Sequence, residues 1–189
     1  MSSNQLTSLK PDIFNNLSNM EYLDIDKNNL TFLPQEIFNG LISLRRLNLN
    51  SNKLTSLELN TFNSLSKLEK LYIGYNSLIS LPQGIFDGLE GLIKLDLSSN
   101  KLLSLENNTF SSLSSLETLY IGNNNLTSLP QGIFDGLESL NVLDLAFNKL
   151  SSLENNIFNR LANLQTLYIS NNNLTSFPKN LPDGLEIDF

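Results

Sequence analysis

The feature that most constrains the fold of this chain is an asparagine that recurs every 24 residues. It stands at Asn4, Asn28, Asn52, Asn76, Asn100, Asn124, Asn148 and Asn172. Phenylalanine keeps the same spacing from Phe14 to Phe158, and leucine keeps it from Leu17 to Leu185. Self-similarity at one fixed period indicates a stacked repeat architecture. The 189 residues are therefore predicted to form a single array, without a linker or a second domain.

Each repeat unit is predicted to hold one short strand followed by an irregular return. The segment Leu119-Tyr120-Ile121 has the inward, outward, inward alternation of a strand. Strands at a fixed spacing predict a parallel ladder, in which the leucines and isoleucines of successive units fill one continuous core. The predicted buried residues include Leu23, Ile73, Leu119 and Leu167.

The recurrent polar and aromatic positions are also interpreted as structural. An asparagine amide has two donors and one acceptor, so the column is predicted to satisfy buried backbone groups of its own turn and of the next unit. The phenylalanine column is predicted to pack the convex side of the array. No functional role is assigned to either column.

The frame of the repeat sets the expected boundaries. Residues 1–19 form a partial unit, residues 20–187 form seven units of 24 residues, and residues 188–189 begin a further unit. In this frame Pro182 replaces the recurrent phenylalanine and Asp188 takes a core leucine position, which predicts a softened C-terminal edge. The N-terminal edge is expected to expose unpaired strand groups, through which homo-oligomers can form.

Two segments carry a family resemblance. Asn124–Pro130, with the sequence NNLTSLP, and Gly132–Leu137, with the sequence GIFDGL, resemble the 24-residue "typical" unit of the leucine-rich-repeat superfamily. Toll-like receptors, small leucine-rich proteoglycans and variable lymphocyte receptors carry such units, and the resemblance covers essentially the whole chain. It implies an α/β-type solenoid, a leucine-rich-repeat arc with a concave parallel β-sheet and a largely irregular convex side. It also implies that the concave sheet binds a protein, as in receptors of immune recognition.

Composition narrows the function classes. The chain has no Cys and no His, which removes the Ser-His-Asp triad, the cysteine nucleophile and the usual zinc ligands. We therefore expect no enzyme activity, no cofactor, no metal site and no catalytic residue. The net charge of −7 leads to the expectation that nucleic acid is not a partner. No run of 18 apolar residues occurs, so membrane insertion is not expected.

The sequence leaves the cellular compartment of the protein open. The repeat subclass favours an extracellular location. The lack of cysteine-rich caps and of a signal peptide is equally compatible with the cytosol.

The outward positions of the strand and its exit, unit positions 2, 3, 5, 7, 8 and 10, are free to vary and are the candidate binding surface. All five tyrosines of the chain fall there, and tyrosine offers a large contact area with few rotatable bonds. Charged side chains in neighbouring units can pair with one another or steer a partner. The candidate partner-binding residues are Tyr22, Asp24, Arg46, Lys70, Tyr72, Tyr75, Lys94, Asp96, Tyr120, Asp144, Phe147 and Tyr168.

A second period of 48 residues is superimposed on the first. Unit position 15 alternates between proline and glutamate from Pro34 to Pro178, and unit position 6 alternates between isoleucine and leucine. Tandem duplication of a pair of units explains the alternation, and a ligand that repeats on the same length scale is the other explanation. Besides a protein-binding module, the sequence is compatible with a structural or self-associating repeat protein and with carbohydrate recognition by the tyrosines.

Overall fold

The computed structural model describes residues 1–182 and 184–188. Its strands, each three residues long, are β1 (Tyr22–Asp24), β2 (Arg46–Asn48), β3 (Lys70–Tyr72), β4 (Lys94–Asp96), β5 (Thr118–Tyr120), β6 (Val142–Asp144), β7 (Thr166–Tyr168) and β8 (Glu186–Asp188). They form one eight-stranded sheet in sequence order, and every neighbouring pair is parallel. The predicted solenoid with a parallel sheet is confirmed.

The core runs continuously beneath this sheet. The middle residue of each strand from β1 to β7 is a buried leucine, and Leu23, Ile73, Leu119 and Leu167 are all buried as predicted. The recurrent phenylalanines are buried as well, and several neighbours stack with ring centroids 6.0–6.3 Å apart. Each unit thus covers the apolar face of the next, because none can bury its own face alone.

The asparagine column closes the turn at the end of each strand. Asn100 donates from its amide nitrogen to the carbonyls of Leu97 and of Ile73, and its amide oxygen accepts from the backbone N–H of Leu78. Those last two partners lie in the preceding unit. The prediction of bonds to the next unit therefore had the direction wrong, because the turn of each strand lies over the unit that comes before it.

The C-terminal frame departs from the 24-residue spacing. β8 pairs Glu186 with Thr166 and Asp188 with Tyr168, a step of 20 residues. The expectation that Asp188 takes a core leucine position is wrong, since its side chain is exposed and lies beside Tyr168. The return between β7 and β8 is therefore shorter than the other returns. Pro182 lies in this return, at the position that the 24-residue frame gives to phenylalanine. Phe189, and Asp183 within this return, lie outside the described residues.

The returns between strands consist of turns and bends. In residues 1–182 and 184–188 none of the returns forms an α-helix, and no helix there is long and apolar enough to cross a membrane.

Candidate binding surface

The outward side chains of the strands form two rows on one face of the sheet, which we call the strand face. Because strands pair in register, the first residues of the strands lie side by side, and so do the third residues. The leading row is Tyr22, Arg46, Lys70, Lys94, Thr118, Val142, Thr166 and Glu186. The trailing row is Asp24, Asn48, Tyr72, Asp96, Tyr120, Asp144, Tyr168 and Asp188. Adjacent members of a row are about 4.8 Å apart.

Ten of the twelve candidate residues belong to these two rows. The other two, Tyr75 and Phe147, follow β3 and β6 at the strand exits and are exposed by 61% and 52%. The register therefore brings the predicted residues onto one surface. Whether a partner contacts them stays a prediction.

In the N-terminal half of the strand face, basic side chains contact acidic and aromatic side chains of the same face. Arg46 lies 3.4 Å from the carboxylate of Asp24, and its guanidinium lies 5.4 Å from the ring centroid of Tyr72. The ammonium of Lys94 lies between two rings, 5.9 Å from the centroid of Tyr72 and 4.7 Å from that of Tyr120. Such contacts are favourable because the ring face is electron-rich. Tyr72 and Tyr120 are both half-buried.

The C-terminal half has the opposite character. Strands β5 to β8 carry Asp144, Glu186 and Asp188 on the strand face and no basic residue. Val142 takes the place that Lys94 holds two strands earlier. The shorter last return contributes two of the three acidic residues to this half, so sequence reasoning with an unbroken 24-residue frame missed them.

Glycines at the strand exits leave room for an aspartate carboxylate of the next strand to pack closely against the backbone. A methyl group at Gly122 would lie 2.7 Å from the Asp144 carboxylate, and one at Gly74 would lie 3.0 Å from that of Asp96. Gly74, Gly122 and Ala146 are buried, so the expectation that unit position 7 is free to vary is wrong in these units. The sequence signal was present, because glycine occupies this position only after Tyr72 and Tyr120.

The two carboxylates differ in how well they are satisfied. Asp96 accepts from the backbone N–H and hydroxyl of Ser98, at 3.0 and 2.6 Å, and from the Asn50 amide at 3.4 Å. Asp144 accepts one hydrogen bond within the described chain, from the backbone N–H of Ala146 at 2.9 Å. Burial raises the pKa of Asp144 above its ordinary value of 3.8, and repulsion from Asp96 and Asp188 adds to the rise, against the lowering effect of the Ala146 bond.

Tyr75 and Phe147 sit in a backbone conformation that favours other residues. Their φ angles are 52° and 55°, in the left-handed region where a bulky side chain is disfavoured and asparagine is tolerated. Asn123 and Asn171 occupy the same unit position with φ angles of 53° and 56°. A bulky aromatic residue at this position is thus exposed and conformationally costly.

The parallel ladder, the buried asparagine column and the open strand face define a repeat solenoid. The chain belongs to the leucine-rich-repeat family, whose profile matches residues 1–41, 20–78, 66–126 and 114–174. No curated protein sequence matches the chain.

Two solved structures show the same fold over most of the chain. One is the Toll–Spatzle complex, a hub in Drosophila development and innate immunity; it is 30% identical with a TM-score of 0.85, over 89% of this chain and 22% of that chain. The other is a complex of TLR13 with the single-stranded RNA ssRNA13; it is 31% identical with a TM-score of 0.84, over 95% of this chain and 25% of that chain. The present chain thus spans about a quarter of each.

The second of these structures corrects one expectation. The exclusion of nucleic acid from the net charge is wrong, because a structure of the same fold at 31% identity is a complex with single-stranded RNA. Net charge sums over the whole surface, whereas an RNA meets only the part that it touches. Here Arg46, Lys70 and Lys94 lie on three consecutive strands despite the charge of −7.

Proposed function

We propose that this chain is a binding module that recognises a protein partner on its strand face. The observation that carries the proposal is the placement of all five tyrosines on one surface that the core does not need. Tyr72, Tyr120 and Tyr168 follow one another at steps of about 9.6 Å and form a strip about 19 Å long. Such a strip matches one side of a modest protein interface.

The division of charge supports a protein rather than a uniformly charged polymer as the partner. The leading row is basic on β2 to β4, and β6 and β8 carry acidic residues. Complementary patches of both signs fix the register of a folded partner. The Toll–Spatzle complex, in which a protein of this family is bound to a partner, agrees with this assignment.

We further propose that the module has a receptor-like, extracellular role in recognition. It rests on the likeness to Toll and TLR13. A role in binding rather than catalysis fits an open sheet in a chain that has neither histidine nor cysteine.

The test compares two double alanine variants. Tyr72→Ala with Tyr120→Ala removes two of the three rings of the strip, and Gln83→Ala with Gln131→Ala alters two exposed residues of the returns. Immobilised parent and variants are offered a mixture of secreted proteins and RNA. A protein retained by the parent and by the glutamine variant is then purified for titration.

We expect the tyrosine variant to bind that protein several kcal/mol more weakly, as is usual for hot-spot aromatics. Loss of binding only in the glutamine variant would contradict the assignment to the strand face. Retention of single-stranded RNA in place of protein, abolished by Arg46→Ala with Lys70→Ala, would contradict a protein partner.

A further inference from the structure

The two halves of the strand face repeat one arrangement of rings and carboxylate, and they differ in the residue that accompanies it. In the N-terminal copy, Lys94 lies between the rings of Tyr72 and Tyr120 and beside Asp96. In the C-terminal copy, two strands further on, Tyr120 and Tyr168 flank Asp144 in the same register. Val142 stands where Lys94 stood, so the second copy has the rings and the carboxylate but not the cation.

The unfilled copy carries a carboxylate that the protein itself leaves poorly compensated. Asp144 lies against Gly122, accepts one hydrogen bond, and forms no ion pair within the described residues. That hydrogen bond is made to Oδ1, and Oδ2 accepts none from the described residues. Asp96, in the filled copy, accepts three hydrogen bonds.

The surroundings reinforce the demand for positive charge. On the outer side of this copy, Asp188 on β8 lies next to Tyr168, and Glu186 lies next to Thr166. On the inner side, the nearest basic residue of the two rows is Lys94, whose ammonium is already over the Tyr120 ring at 4.7 Å. A half-buried carboxylate among other carboxylates favours an incoming cation, because the cation removes repulsion and pairs a desolvated charge.

We propose that the slot lined by Tyr120, Val142, Asp144 and Tyr168 binds a lysine or arginine side chain of the protein partner. The cationic group takes the place between the rings that Lys94 takes in the other copy. Val142 supplies an apolar floor for the aliphatic stem, and the Asp144 carboxylate pairs with the charge. This proposal rests on the proposed function, because it names the chemistry that one part of the strand face recognises.

The direct test uses n-butylammonium as a probe and requires no partner protein. Tyrosine rings labelled with ¹³C report on the slot. The ring of Tyr22 is an internal reference, because Tyr22 is on β1 and the slot residues are on β5 to β7. At constant ionic strength, saturable shifts are expected on Tyr120 and Tyr168 and none on Tyr22. The neutral analogue butan-1-ol is expected to give no comparable shift.

Two variants and a charge-matched control locate the binding. Val142→Lys supplies a cation from within the chain and is expected to weaken probe binding at least about tenfold, since its ammonium would take the place between the two rings that Lys94 takes in the other copy. Asp144→Asn is expected to weaken it by a similar factor. Ser51→Lys adds the same charge at a position that Lys27 holds in the first unit, and should leave probe binding unchanged. Equal affinity of parent and Val142→Lys, equal shifts with butan-1-ol, or no saturable shift would overturn the proposal.

Measuring the affinity of the partner protein for the same variants distinguishes a failure of this proposal from a failure of the proposed function. If no protein depends on Tyr72 and Tyr120, the proposed function fails, while the probe titration still reports whether the slot binds a cation. A partner that requires those tyrosines but binds Val142→Lys as tightly as the parent would overturn only the slot as the contact for a basic side chain. A loss of partner affinity in Val142→Lys, with Ser51→Lys unaffected, supports it.

Discussion

At the scale of single residues, the asparagine column is where the repeat depends most on one side chain. Asn100 bonds to the carbonyls of Leu97 and Ile73 and to the N–H of Leu78, beyond the ends of β4 and β3, and it is 7% exposed. Asn100→Ala leaves these groups unpaired and should lower the free energy of unfolding by about 1–3 kcal/mol. Urea unfolding measures the change, and a midpoint within error of the parent would contradict the role of the column. Asn125→Ala, at the partly exposed neighbour, is the control.

The exposed aromatics at the strand exits behave in the opposite way. Tyr75→Asn and Phe147→Asn each relieve a left-handed backbone cost of about 1 kcal/mol, which offsets the contacts of a half-exposed ring. Each variant should therefore unfold within about 0.5 kcal/mol of the parent. If either loses more than about 1.5 kcal/mol in urea unfolding, its ring is a structural element rather than a binding one.

Asp144 links stability to pH in a direction that can be checked. Its pKa in the folded chain is raised, chiefly by burial, so the folded state holds its proton more tightly than the unfolded state. This contribution to stability is present at pH below 3.8 and is lost as the pH rises through the raised value. Asp144→Asn lacks the dependence and its side-chain oxygen can still accept from Ala146.

The stability of Asp144→Asn relative to the parent should therefore increase from pH 4 to pH 7. Urea unfolding of both proteins at the two pH values gives the comparison. A relative stability that decreases over this range would show that the carboxylate is stabilised, not desolvated, in the folded chain.

At the scale of strands and units, the ladder is uniform in its centre and weaker at the last strand. Ile121 and Ile169 make the same bond, each donating its backbone N–H at 2.9 Å to a trailing-row carbonyl of the next strand. For Ile121 the acceptor strand β6 is flanked on both sides. For Ile169 it is β8, whose Ile187 is only partly buried.

The amide of Ile169 should exchange with deuterium at least about tenfold faster than that of Ile121, because local opening follows the buried contacts of each unit. Hydrogen exchange read by NMR gives both rates. Equal protection would mean that the array opens only as a whole.

The repeat period predicts this level of structure well and fails where contacts cross units. A 24-residue spacing determines which residues face inward, so the buried leucines and the strand positions follow from the sequence. The period does not predict contacts between side chains of different strands. Lys94 lies between two rings, and the Asp144 carboxylate packs against Gly122, because of such contacts. The shortened return before β8 breaks the period itself, and the departures from the frame at Pro182 and Asp188 are the sequence signals of that break.

At the scale of the whole molecule, the core and the returns form the scaffold, and we propose that one face of the sheet recognises a partner. The fold places the tyrosines so that they report on that face alone. Four of them lie in the two rows and Tyr75 lies at the exit of β3, whereas seven of the phenylalanines form the buried column. The ring signals of the tyrosines and of these seven phenylalanines therefore distinguish the outer surface of the sheet from the interior.

The most direct measurement is a titration of the ring-labelled protein with the purified partner, observed by NMR. Contact on the strand face should shift or broaden the signals of Tyr72, Tyr120 and Tyr168, while the buried phenylalanines change little. Saturable binding that leaves all three tyrosine signals unchanged would place the partner elsewhere on the solenoid and contradict the central claim.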